Sequence, residues 1–190
     1  MSNLFKVVML VSVLLSVLNC ASADKNYKWE NSLSASDKQN NFKTGDIIIK
    51  NKIIKDPKSW FGHSAIMIDE YNIGDFPKPG HDYLSGYVFF WLKEDRKIIV
   101  LRYDGFNDEF KKKFEENAKK YGNGKYMYSF DKRSPSNFYC SKYVWFVYYQ
   151  TAQDLGYNLD IDRDGGLFVY PYDFLGNSEF HQVYIVQEQK

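Results

Sequence analysis

From Tyr139 to Leu155 the chain reads as a helix that is apolar on most of its sides, with Tyr143, Val144, Trp145, Phe146, Val147 and Tyr148 in one run. Such a helix cannot lie on a surface and must be enclosed by the rest of its domain. Ser134 is a capping residue and Pro135 suits a first turn, so the helix is expected to begin at Ser134 and to close at Leu155-Gly156. At 190 residues, 44% of them apolar, the chain is long enough for one sizeable core and too short for two ordinary domains.

Short apolar runs supply the partners. Ile47-Ile48-Ile49 and Ser64-Ala65-Ile66-Met67-Ile68 read as buried strands, with Asn72–Phe76, Tyr87–Leu92, Lys97–Tyr103 and Gln182–Val186 as further strands. Between Asn107 and Tyr121, Phe110, Phe114, Ala118 and Tyr121 fall at helical spacing among lysines and glutamates, which predicts an amphipathic surface helix. Residues 24–44 are polar and aperiodic and are expected to form a flexible N-terminal arm, leaving 45–190 as the domain.

The first residues place Lys6 before the apolar run Val7 to Leu18 and end on Ala21-Ser22-Ala23, the layout of a secretory signal peptide over residues 1–23. Leu18-Asn19-Cys20 also fits a loose lipoprotein signal, although Asn19 is a poor residue before a lipidated cysteine. The run falls short of the ~20 residues a bilayer span requires. The expectation is export to the periplasm, envelope or exterior, with membrane contact only through a lipid on Cys20. Twenty-five basic and 24 acidic side chains leave a net charge of +1, so no global field draws nucleic acid.

Removal or modification of Cys20 leaves Cys140 as a single thiol in a compartment where thiols pair. A buried cysteine acting as a small hydrophobe is one explanation. The other is nucleophilic: early in a helix, free backbone N–H groups and the dipole favour a thiolate. A nucleophile needs a base, and the chain has three histidines. His63 follows Gly62 at the start of a buried strand, whereas His81 and His181 lie in segments expected to be solvated.

The pieces Gly45-Asp46-Ile47-Ile48-Ile49, Gly62-His63-Ser64-Ala65-Ile66-Met67-Ile68, Val100-Leu101-Arg102, Asn137-Phe138-Tyr139-Cys140-Ser141-Lys142-Tyr143-Val144-Trp145 and Val169-Tyr170-Pro171-Tyr172-Asp173-Phe174 stand in an order that resembles the permuted papain-like amidases of the NlpC superfamily, in particular the YiiX-like branch. The resemblance spans roughly residues 45–175. Histidine before cysteine is the order of the circularly permuted members. It implies an α+β fold in which the cysteine helix packs on an antiparallel, barrel-like sheet carrying the histidine and a third polar residue.

By that resemblance Cys140 is the nucleophile, His63 its base and Asp75 the best match for the third residue, with Asp69, Glu70 and His81 as substitutes. Trp60 and Tyr139 are expected to touch substrate, and Phe61, beside Trp60, to line the acyl or peptide groove. The implied chemistry is hydrolysis of a peptide or cell-wall amide through an acyl-thioester, with no cofactor or metal, by a monomer. Relatives of the fold include lecithin:retinol acyltransferase-like proteins, so a lipid acyl linkage is the second reading and a silent binding module the third. Asp160, Asp162, Asp164 and Gly165 imitate the first half of a calcium loop, but Pro171 stands where the closing glutamate belongs, and the segment reads as a solvated turn.

Overall fold

The computed structural model describes residues 27–186. The expected signal peptide, Cys20 and the last four residues lie outside that range. Seven strands form one antiparallel sheet: β1 (Glu30–Asn31), β2 (Ile47–Lys50), β3 (His63–Met67), β4 (Asn72–Asp75), β5 (Leu84–Tyr87), β6 (Lys97–Tyr103) and β9 (Phe180–Val183). The order runs β1-β6-β2-β3-β4-β5, and β9 shares the β1 side of β6, pairing from Val100 to Tyr103 while β1 pairs at Lys97 and Ile98. A separate parallel pair joins β7 (Lys125–Tyr126) to β8 (Asn137–Phe138).

Both faces of the sheet are covered, which is why Ile47, Ile48 and Ile49 are all fully buried rather than alternating. Ile47, Ile49, Ile66, Ile99 and Leu101 face one core, built with α3 (Asp108–Tyr121) and α4 (Cys140–Leu155). Ile48, Ala65, Met67, Ile73 and Val100 face the other, closed by Ala35, Phe42, Val88 and Leu92. Helix α3 forms as its sequence predicts: Asn107 caps it by accepting the Phe110 N–H at 2.8 Å, and Phe110, Phe114, Ala118 and Tyr121 are buried.

Four segments differ from the sequence expectation. The part of 24–44 within the described residues is no loose arm: β1, the short helix α1 (Ser32–Ser36) and Phe42 cover the second core, and the buried Glu30 carboxylate accepts the N–H groups of Ile185 at 2.7 Å and Val186 at 2.9 Å. Those two bonds also explain why the last strand stops at Val183, since the following N–H groups turn to a side chain.

Tyr87–Leu92 is a strand only at its first residue. Pairing to β4 ends at Asn72↔Tyr87, and the chain then turns through α2 (Val88–Trp91), which buries Val88 and Leu92, four residues apart, on one face. The β-forming character of Val88, Phe89, Phe90 and Trp91 is overridden by the end of the partner strand.

The cysteine helix starts at Cys140, not Ser134. The carbonyls of Ser134 and Asn137, which a longer helix would use internally, accept instead from Lys142 Nζ at 3.0 and 2.7 Å, and the Asp131 carbonyl accepts from the same ammonium at 3.1 Å. Burial of that ammonium lowers its pKa to about 8, against a small opposing pull from Asp131.

Candidate active site

His63 opens β3, and Gly62 before it stands at φ +76°, where a Cβ would sit 2.8 Å from the Lys50 carbonyl oxygen. Only glycine fits that approach, so the residue before the histidine is dictated by how β2 and β3 meet. Asp75 ends the neighbouring strand β4. The two strands therefore bring His63 Nε2 and Asp75 Oδ2 to 2.7 Å, with the carboxylate buried and 18% of the imidazole side chain exposed.

Cys140 is the first residue of α4, with Tyr139 as an extended N-cap. At that position its backbone N–H has no intrahelical acceptor and lies at the positive end of the dipole. Helix α4 packs on β3 and β4, which sets the thiol against the histidine. With Nε2 held by Asp75, Nδ1 is the ring nitrogen left for the sulfur. Burial alone would lower the pKa of His63; attraction and hydrogen bonding to Asp75 and to Cys140 outweigh it and raise the ring to about 10.

His63 and Cys140 open on a cleft of about 280 Å³, with Asp75 buried behind the imidazole. Phe61, Tyr126, Tyr128, Tyr139, Phe168 and Tyr170 supply its aromatic wall, and among the described residues no lysine, arginine, aspartate or glutamate lines it. Phe61 stacks on Tyr170 with centroids 5.2 Å apart, and Tyr128 packs on Tyr139 at 5.1 Å. The far wall is tied to the cysteine helix: the Tyr139 hydroxyl accepts the Val169 N–H at 2.9 Å, and Ser141 Oγ donates to the Val169 carbonyl at 2.7 Å.

The expected site residues divide. Cys140, His63 and Tyr139 line the cleft, and Asp75 is buried behind His63, bonded to its Nε2. Trp60 does not line it: its ring is half exposed and its indole N–H donates to the Ile54 carbonyl at 2.8 Å, while the next residue, Phe61, faces the cleft. Among the substitutes for the third residue, Asp69 accepts from the backbone of Tyr71 and Asn72, Glu70 is exposed, and His81 is an exposed residue bridged to Lys78. His181, also exposed, pairs with Asp104.

Trp91 was missed by sequence reasoning. Its indole N–H donates to Asp75 Oδ2 at 3.0 Å and its ring stacks on His63, centroids 5.8 Å apart. The aromatic wall residues Tyr126 and Tyr128 were also missed; no local signal links them to Cys140.

Residues 41–158 match the family model described as "Permuted papain-like amidase enzyme, YaeF/YiiX". A solved structure titled as the metalloprotein YiiX from Escherichia coli is similar, with a TM-score of 0.55 and 19% identity over 75% of this chain and 97% of that one, a likeness of fold. No curated protein matches the sequence.

Proposed function

This chain belongs to the permuted papain-like amidases, and on that premise we propose that it is a cysteine hydrolase using Cys140, His63 and Asp75 to cleave amide bonds. The observation that carries the reading is the 2.7 Å bond from His63 to a buried carboxylate in the cleft where Cys140 begins its helix.

The geometry supports the following roles. Attraction and hydrogen bonding to Asp75 and to Cys140 favour the protonated form of His63, so the ring is suited to hold the proton that Cys140 gives up as it becomes the nucleophile. The thiolate attacks the substrate carbonyl, and the Cys140 N–H faces the developing oxyanion, a type of donor worth roughly 3 kcal/mol. His63 gives its proton to the leaving amine, the acyl group remains on sulfur, and the neutral ring then takes a proton from water as it attacks the thioester. Asp75, fixed on Nε2, keeps Nδ1 directed at the sulfur through both half-reactions.

The substrate proposed is a peptide amide, with cell-wall peptides the natural class for an exported enzyme. Export rests on the N-terminal sequence pattern, and the same pattern supports a lipid on Cys20. A second reading, hydrolysis or transfer of an acyl ester, is favoured by one observation: away from His63 and Cys140 the cleft wall is largely aromatic, which suits an apolar acyl group.

The test is turnover of a panel of peptide amides and acyl esters by the protein and by Cys140→Ala, with mass spectrometry for an acyl adduct on Cys140. Amide cleavage with a trapped thioester, abolished in Cys140→Ala, is the expected result. Cleavage of esters alone selects the second reading, and equal turnover by Cys140→Ala ends both.

A further inference from the structure

Asp162, Asp164 and Asp173 each bring one carboxylate oxygen to a common point, all three atoms within 4.8 Å of one another. Asp162 and Asp173 are buried and Asp164 is exposed. The calcium-loop pattern that Pro171 interrupts in the sequence is thus completed in space. The 3₁₀ turn Pro171–Phe174 carries a carboxylate back to the loop two residues later than the usual closing position. Asp160, the first residue of the pattern, is occupied elsewhere, accepting from Trp145 Nε1 at 2.7 Å and from the Asp162 N–H at 3.0 Å.

An independent observation points to a ligand. Asp162 Oδ1 is buried and has no hydrogen-bond partner, in a side chain with no exposed surface. A carboxylate oxygen left bare in the interior is costly, and a cation bound against it removes that cost. The other oxygen bonds Lys132, whose Nζ also donates to the Gly166 carbonyl at 3.1 Å. One ammonium against three carboxylates leaves a deficit that a divalent cation fits.

We propose that Asp162, Asp164 and Asp173 form a calcium site that clamps the far wall of the cleft. The donors offered are carboxylates, with no histidine or cysteine among them, which selects a hard cation. Calcium tolerates irregular geometry and a variable number of waters, whereas magnesium demands a near-ideal octahedron. The clamp joins the two ends of the segment 164–173, which includes Phe168, Val169 and Tyr170 of the cleft wall.

The experiment is calorimetric titration of chelator-treated protein with CaCl2, alongside Asp164→Asn, an exposed position whose folding is checked by circular dichroism. Terbium luminescence provides a second readout in the unmutated protein, because Lys132 Nζ lies 5.1 Å from the Trp145 ring and so places an indole beside the site. Expected are one saturable site with a Kd of about 10⁻⁴–10⁻³ M and a melting point raised about 3 °C at tenfold saturation. Binding at least tenfold weaker in Asp164→Asn and tryptophan-sensitised terbium emission displaced by calcium are also expected. No saturable heat, with a melting point that responds alike to CaCl2 and to NaCl of matched ionic strength, overturns the site. Tighter binding of magnesium than of calcium overturns the choice of cation. None of these readouts depends on hydrolysis.

Discussion

Trp91 donates its indole N–H to Asp75 Oδ2 at 3.0 Å, and the same oxygen holds His63 Nε2 at 2.7 Å. The indole is in turn fixed by Lys50, whose ammonium lies 3.6 Å from the ring centroid and donates to the Trp91 carbonyl at 2.7 Å. A chain of contacts therefore runs from Lys50 through Trp91 and Asp75 to His63 and the thiol. Asp75 Oδ1 is buried without a hydrogen-bond partner, so both bonds fixing the carboxylate's orientation converge on one oxygen.

Trp91→Phe keeps a ring against His63 and deletes the bond to Asp75, which makes Trp91 testable as a positioning residue. We expect kcat to fall about tenfold, the size of one modest charge-assisted hydrogen bond. KM should stay within about twofold, because Trp91 does not line the cleft. A merely structural role would lower the melting point and leave kcat per folded molecule unchanged.

Asp75→Asn preserves the shape of the side chain and removes its charge. The carboxylate is the main force holding His63 protonated against burial, so its loss lowers the pKa of the ring. Iodoacetamide labelling of Cys140 at pH 6 should slow at least tenfold, and kcat/KM should drop by roughly 10² or more. Labelling at the wild-type rate would show that the Cys140–His63 pair does not need Asp75.

His63 also ties stability to pH. Its folded-state pKa, about 10, lies above the 6.5 of an unperturbed imidazole. The folded form therefore binds the proton more tightly, so the stabilisation is complete below pH 6.5 and is lost as pH rises toward 10. Partial exposure of the ring tempers the size, to about 1–3 kcal/mol. Urea midpoints of the protein and of His63→Gln, compared at pH 6, 8 and 10, should converge with rising pH. A constant gap across that range would rule the linkage out.

The positions gathered at the cleft were legible where chemistry is local: a glycine before a histidine at a strand start, and a lone cysteine opening a buried helix. What was not legible depends on distant partners. The false helix start at Ser134-Pro135 is correct capping chemistry, defeated by Lys142 drawing three loop carbonyls to itself. Val88 to Trp91 carry strand propensity and form a helical turn because their neighbour strand has ended, and that turn is what delivers Trp91 to Asp75. The polar segment that looked like a linker covers the second core with only two buried apolar residues, Ala35 and Phe42, too few to mark a periodicity. In each case a tertiary contact outweighs a propensity of at most ~1 kcal/mol per residue.

Two of the sequence pieces that carry the family resemblance prove to be one buried ion pair. Asp46 has no exposed surface and receives Arg102 Nε and a terminal guanidinium nitrogen on its two oxygens, each at 2.7 Å, plus the Lys43 N–H at 2.8 Å. Burial still raises the Asp46 pKa despite Arg102 and Lys43, so the carboxylate depends on its partner to stay charged. Arg102→Ala should cost about 3–5 kcal/mol at pH 7, because it strands a buried charge. With its pKa raised by burial and Arg102 gone, the stranded Asp46 takes a proton more readily as pH falls, so the deficit should shrink with falling pH. Asp46→Asn with Arg102→Met should lose less than Arg102→Ala alone, since no bare charge remains. The pair lies outside the cleft wall, so kcat of the folded fraction should be unchanged in all these variants. A loss under about 1 kcal/mol for Arg102→Ala, or a fall in kcat without a fall in stability, would mean that the motif serves the reaction and not the fold.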